Sequence, residues 1–73
     1  MHIEIHFRDE IFISATDKSV TAKEASDNIQ RQLSTANSTK VKLNDSSILV
    51  LGREASQHSA FIFVPDKEER EAP

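Results

Sequence analysis

One segment of this 73-residue chain has the periodicity of an α-helix, and a single helix limits the folds open to the rest. In SVTAKEASDNIQRQLSTAN, residues 19–37, apolar side chains recur about every 3.6 residues, and Thr21 and Glu24 have capping-box spacing. The pattern predicts a helix over residues 22–36 with Asn37 as its left-handed cap. Because one helix covers only one face of a sheet, the other face needs a separate explanation.

The other apolar segments are short and indicate β-strands, and the first and third of them alternate with a period of two residues. These segments are HIEIHF, IFISA, KVKLN, ILVLG and AFIFV. The order ββαβββ indicates an α+β fold, in which one helix packs on one face of a single small sheet, mixed or antiparallel. Residues 1–64 are expected to form one domain. Residues 65–73, PDKEEREAP, are charged and poor in apolar side chains, so we expect a disordered tail.

The register of the first hairpin depends on the length of its loop. A three-residue loop at residues 8–10 places Ile5 opposite Ile13 and makes both strands apolar on the same side. In that register Phe12 points away from the helix. The first hairpin is then polar on its helix-free side apart from this one aromatic ring.

The fourth and fifth strands are apolar on both sides. A two-residue turn at residues 45–46 places Val41 opposite Val50, which leaves Leu49 and Leu51 facing away from the helix. The last strand, AFIFV, has large apolar side chains at both sets of alternate positions. We therefore expect a contiguous apolar patch on the face without a helix.

Patches of this kind usually mark interaction sites, and a two-fold dimer covers such a patch with its own copy. The expected function is that of a small non-enzymatic interaction module, a regulator or inhibitor, which binds a protein partner or itself. The predicted contact residues are Phe12, Leu49, Leu51, Phe61 and Phe63, with Lys40 and Lys42 at the rim. A sheet that closes into a roll is the structural alternative.

Two other functions stay open. Lys40 and Lys42 beside sheet aromatics are the combination with which some open sheets bind single-stranded nucleic acid, although the predicted domain is almost neutral. His2, Glu4 and His6 alternate along the first strand, a spacing that allows them to share a metal ion. The same three residues also suit the polar side of an ordinary strand, which is the interpretation we favour. No cofactor is predicted.

The segment GREASQHS, which follows the fourth strand, contains serine, histidine and glutamate. It lacks the glycine-rich support of an oxyanion hole, so it favours a binding loop over a hydrolytic triad. The candidate contact residues in this loop are Arg53, Glu54 and His58. The chain has no cysteine and no apolar run near the roughly 18 residues of a membrane span, so we expect a cytoplasmic protein. No family motif is recognised.

Overall fold

The computed structural model describes residues 1–66. Within that range the strands are β1 His2–Phe7, β2 Glu10–Ile13, β3 Ser38–Lys42, β4 Ile48–Gly52 and β5 Ser59–Val64, and the helices are α1 Ala22–Ala36 and α2 Arg53–Gln57. The predicted α+β class and the predicted bounds of the main helix are confirmed. The short helix α2 forms where the sequence predicts a loop.

The strands form two antiparallel sheets, which corrects the prediction of a single sheet. In one sheet β1 lies between β2 and β5, and in the other β3 pairs with β4. The sheets meet at an isolated bridge between Ser14 and Leu43. After this bridge the chain turns towards β1, where the Asp17 amide donates to the Met1 carbonyl at 2.8 Å. A short seam therefore replaces a full ladder between β2 and β3.

Local chemistry explains both ends of α1. The Glu24 amide donates to Thr21 Oγ1 at 3.1 Å, and the Thr21 amide donates to Glu24 Oε1 at 3.4 Å, which completes the predicted capping box. At the other end Asn37 has a φ of 59°, so the predicted left-handed cap is confirmed. Asparagine tolerates this conformation better than most residues do, and the helix ends there.

One face of each sheet points towards α1, and the core lies between these faces and the helix. The buried apolar residues are Met1, Ile3, Ile5, Ala25, Ile29, Val41 and Leu51. Two buried hydroxyls are satisfied, since Thr39 donates to Gln32 Oε1 at 2.5 Å and Ser14 Oγ accepts from the Ile3 amide at 2.7 Å. Alternate residues of each strand point the opposite way, so α1 covers only the inner faces.

The first hairpin turns through two residues, Arg8–Asp9, so the predicted three-residue loop is wrong. Ile5 faces Phe12 instead of Ile13. A change of one residue in loop length moves every side chain of β2 to the other face, so Phe12 points towards the core. Arg8 has a φ of 56°, a positive value of the kind that tight hairpins need.

The loop of the second hairpin is longer than predicted, whereas the loop of the first is shorter. A three-residue loop, residues 44–46, replaces the expected two-residue turn, and Val41 faces Leu49 instead of Val50. Ser46 has a φ of 73°, the left-handed conformation found in three-residue hairpin loops. Consequently Leu49 points towards the core and Val50 points away from it.

The chain remains attached to the domain just beyond β5. The Met1 ammonium lies 2.8 Å from Asp66 Oδ2 and donates to the Asp17 carbonyl at 2.8 Å. Asp66 belongs to the segment that the sequence assigns to the tail, and its ion-pair partner is the first residue of the chain. The rest of the predicted tail, residues 67–73, lies outside the described residues.

Candidate interaction surface

We use the name outer face for the side of both sheets that points away from α1. In the three-stranded sheet its residues are His2, Glu4, His6, Ile11, Ile13, Ala60, Ile62 and Val64. Because β1 is the central strand, Glu4 lies between Ile13 and Ile62 in one row of this face. In the next row, His6 lies between Ile11 and Ala60. The result is a polar column with aliphatic flanks.

The polar column consists of one carboxylate between two imidazoles. His2 Nε2 lies 3.6 Å from Glu4 Oε2, and His6 Nε2 lies 3.6 Å from Glu4 Oε1. Each imidazole faces a different carboxylate oxygen, at a distance longer than a hydrogen bond. Within residues 1–66, no three His, Asp or Glu side chains converge where they could hold a metal ion. The metal-site hypothesis therefore gains no support from this column.

The outer face of the β3–β4 sheet combines lysines with aliphatic side chains. Lys40 faces Val50 and Lys42 faces Ile48 across the two strands. Both aliphatic side chains are open to solvent, with exposures of 57% for Val50 and 58% for Ile48. At the seam the Ala15 amide donates to the Lys42 carbonyl at 2.9 Å. This backbone hydrogen bond joins the two sheets at the seam.

The side chains predicted as apolar contact anchors lie on the inner faces. Phe12, Leu49, Leu51, Phe61 and Phe63 all belong to or pack against the core. Phe12 and Phe61 face Ile5 from either side, and the rings of Phe61 and Phe63 are 6.5 Å apart. The predicted orientation of Phe12, Leu49 and Leu51 is therefore wrong, because both hairpin loops differ in length from the prediction. The sequence left the side of the last strand open, and pairing with β1 turns Phe61 and Phe63 inward. The predicted rim residues, Lys40 and Lys42, are exposed on the outer face.

Aliphatic residues take the places of the predicted anchors on the outer face. They are Ile11, Ile13, Ile48, Val50, Ile62 and Val64. A sequence signal for some of them exists, because IFI in β2 is as apolar on both sides as ILVL in β4. The two-sided pattern thus begins in the first hairpin. It does not say which set of alternate residues is outer, since loop length decides that.

The serines around α2 are engaged by the backbone. Ser56 donates to the Gly52 carbonyl at 2.8 Å, and Ser59 donates to the Ala55 carbonyl at 2.7 Å. Within the described chain, neither hydroxyl is hydrogen-bonded to His58. A nucleophilic serine needs such a base within hydrogen-bond reach. This arrangement does not support the triad chemistry that the residue types suggest.

The three residues predicted for the binding loop do not share one site. Arg53 donates to Asn37 Oδ1 at 3.3 Å, which ties α2 to the end of α1. Glu54 and His58, together with Arg8, line a cleft of about 450 Å³ to which Arg53 does not belong. Their role in binding stays a prediction.

Two aspartates outside the outer face have lowered pKa values. Hydrogen bonds from the Ser47 hydroxyl and amide lower the pKa of Asp45 below its ordinary value of 3.8. The Ser19 hydroxyl and amide lower the pKa of Asp17 in the same way. Both carboxyl groups therefore keep their negative charge to a lower pH than an ordinary aspartate does.

Comparison with protein-family models, with curated proteins and with solved structures gives no match. No helix within residues 1–66 has the length and apolar character needed to cross a membrane. A functional proposal for this chain depends on its own geometry.

Proposed function

We propose that this protein is a small non-enzymatic interaction module of the cytoplasm, a regulator or inhibitor, whose outer face binds a protein surface. It acts by occlusion or scaffolding, since the outer face covers a site on its partner. One observation supports this most directly. Four large aliphatic side chains, each 45–60% exposed, lie on the side of the domain away from α1: Ile11, Ile48, Val50 and Ile62.

These four side chains provide a driving force for binding. Complete burial of one such side chain contributes about 1.5–3 kcal/mol relative to full exposure. Since each is already partly buried, a contact that covers all four gains roughly 3–6 kcal/mol. Association itself has an entropic cost of similar size, so further contacts must contribute to a stable complex. The flanking residues Ile13 and Val64, together with the charged groups, supply candidates.

A protein partner is better supported than a nucleic acid. Sheets that bind single strands stack bases on exposed aromatic rings. The chain has four phenylalanines and no tyrosine or tryptophan, and all four lie at inward positions of β1, β2 and β5. The exposed lysines Lys40 and Lys42 would offer phosphates charge without a stacking platform.

The test removes the aliphatic surface without changing charge. A variant with Ile11, Ile48, Val50 and Ile62 all replaced by threonine keeps β-branched side chains, which suit strands. We expect it to lose most binding of an anilinonaphthalene dye. Any concentration-dependent rise in mass in sedimentation experiments should also disappear. Its circular dichroism spectrum should match that of the wild type, because none of the four residues belongs to the core.

A matched control carries Gln30→Ala and Arg31→Ala on the exposed side of α1, and it should behave as the wild type does. If the fourfold threonine variant binds dye and associates as strongly as the control, the outer face is not an interaction surface. The proposed function would then be wrong.

A further inference from the structure

We propose that the free edge of β5 binds an extended, uncharged segment of a partner protein, which adds to the three-stranded sheet as a further strand. This site differs from the outer face, because its main contacts are the backbone groups along one side of β5. It goes beyond the proposed function by assigning a second contact and the conformation of the partner at that contact. Hydrogen-bond direction, side-chain burial and the position of α1 all support it.

The backbone groups of β1 show which side of β5 is free. The Ile3 carbonyl accepts from the Ser14 amide at 2.8 Å, and the Ile3 amide donates to Ser14 Oγ at 2.7 Å, so Ile3 is directed towards β2. Since bonding direction alternates along an antiparallel strand, Glu4 is directed towards its partner Ile62 in β5. The residues of β5 that bond β1 are therefore Ala60, Ile62 and Val64. The N–H groups that point to the free side, which we call the edge amides, belong to Ser59, Phe61 and Phe63.

The free edge of β5 has unused backbone groups and no feature that protects it. Within residues 1–66, β5 pairs with β1 alone, and no hydrogen bond uses the edge amides or the carbonyls of the same three residues. Natural edge strands usually carry a charge, a proline or a bulge that prevents further pairing. The strand SAFIFV has no charged residue and no proline. It is therefore a template for strand addition.

Two phenylalanine rings beside this edge are incompletely covered. Phe61 and Phe63 point inward, yet both are only half-buried. On the central strand, Ile3 and Ile5 point the same way and are 7% and 0% exposed. An edge residue has a neighbouring strand on one side only, and an added strand supplies the missing neighbour. Because aromatic and β-branched cross-strand pairs stabilise sheets, we expect the partner segment to carry such side chains opposite the two rings.

The free edge of β4 provides an internal comparison. The Leu43 amide donates to the Ser47 carbonyl at 2.8 Å, so by the same alternation Ile48 and Val50 direct their backbone groups away from β3. Leu51, which points inward from β4, is already buried with 5% exposure. An added strand would therefore gain less on the inner side of β4 than it gains beside β5.

The position of α1 favours a bare segment over a second folded copy. Within the three-stranded sheet, α1 packs mainly against β5. If β5 of two copies paired edge to edge, the strands would lie about 4.8 Å apart with both copies of α1 on the same face. Packed helices need about 8–10 Å between their axes, so the two helices would collide. A segment without a helix avoids this collision. It should also be uncharged, because a charge beside SAFIFV would lose water without meeting an opposite charge.

Amide hydrogen exchange of the 73-residue chain, measured by NMR with and without a peptide, tests the site. The probe is an acetylated and amidated peptide, Lys-Thr-Val-Phe-Val-Thr-Val-Lys, whose terminal lysines keep it soluble. In the free protein the edge amides should exchange faster than the β5 amides that bond β1. A saturating concentration of peptide should slow exchange of the edge amides by about tenfold or more. The amides of Ile48 and Val50 should not change.

Two methylated forms of the peptide serve as matched controls. Each carries N-methyl groups on one set of alternate residues, so one form blocks the amides directed at β5 and the other blocks the amides directed at solvent. The first form should bind about tenfold or more weakly, because it loses up to three hydrogen bonds. The second form should bind as the parent peptide does. Equal binding of the two forms would mean that the peptide does not pair with the backbone of β5, which overturns the inference.

A further variant separates this inference from the proposed function. Replacing Ile11, Ile48 and Val50 by threonine removes apolar surface from the outer face and leaves β5 unchanged, so peptide binding should equal that of the wild type. If this variant loses the peptide, the peptide binds the outer face, so the inference is wrong and the proposed function stands. Absence of slowed edge amides in the wild type at about 1 mM peptide also overturns the inference, without affecting the fourfold threonine test. Edge amides protected without peptide, in a species with a mass near twice 8.2 kDa, would make the occupant a second copy and contradict the proposed partner.

Discussion

The two hairpins of this protein use the same strand chemistry with turns of different length. The first turns through Arg8–Asp9, and the second turns through residues 44–46. Each turn contains one residue with positive φ, Arg8 in the first and Ser46 in the second, and neither turn contains glycine. The difference of one residue decides which alternate side chains of β2 and β4 face the core.

This comparison shows how a short connection controls a whole surface. In β2 the tight turn sends Phe12 inward and leaves Ile11 60% exposed. In β4 the longer loop sends Leu51 inward and leaves Val50 57% exposed. Exchanging the two loop lengths would exchange the inner and outer sets in both strands. The outer face is therefore a product of turn geometry as much as of strand composition.

The largest effect is expected from neighbouring residues of the second hairpin. Leu51→Ala should lower the free energy of unfolding by about 2–5 kcal/mol, since Leu51 is buried in the core. Val50→Ala, one residue away, should change it by about 0.5 kcal/mol or less. Urea denaturation measures both values. Equal effects of the two substitutions would mean that the register of β4 is not the one described.

The first hairpin offers the same contrast on a smaller scale. Phe12 is only partly buried, so Phe12→Ala should lower the free energy of unfolding by about 2 kcal/mol, less than a fully buried phenylalanine would. Ile11→Ala should cost about 0.5 kcal/mol or less. A larger loss for Ile11→Ala than for Phe12→Ala, again in urea denaturation, would favour the three-residue loop that the sequence suggests.

The sequence predicts features that depend on specific local chemistry and misses those that depend on loop length. Thr21, Glu24 and Asn37 have distinctive roles at helix ends, so α1 is predicted to the residue. Strand positions are also predicted, since short apolar segments between turn residues reveal them. The registers are not, because β2 and β4 are apolar on both sides and either set of alternate residues fits the core. The candidate surface inherits this error, which is why its two lysines lie on the face where they were expected and its predicted apolar residues do not.

The residues with positive φ provide a smaller test of the turns. Glycine adopts this conformation without the strain of a side chain, although it adds entropy to the unfolded chain. Ser46→Gly should therefore raise the free energy of unfolding by about 0.5 kcal/mol. Arg8→Gly should give less, because the Arg8 guanidinium lies 5.1 Å from the centre of the Phe7 ring and glycine cannot make this cation–π interaction. Thermal unfolding measures both variants in parallel. A larger increase in stability for Arg8→Gly than for Ser46→Gly would contradict this expectation.

The smallest effect is expected from the Asp45 carboxylate, which accepts a hydrogen bond from the Ser47 amide in the second turn. Hydrogen bonds from Ser47 lower the pKa of Asp45 in the folded protein, so the ionised form stabilises the fold. This contribution is fully present above the unfolded value of about 3.8 and is lost as the pH falls through the lower folded pKa. The difference in unfolding free energy between wild type and Asp45→Asn should thus be constant near neutral pH and change only in the acid range. Ser47→Ala removes the hydroxyl donor and keeps the amide, so it should reduce this acid-range change without abolishing it. A difference that stays flat down to pH 2 would mean that the turn does not depend on the charge of Asp45.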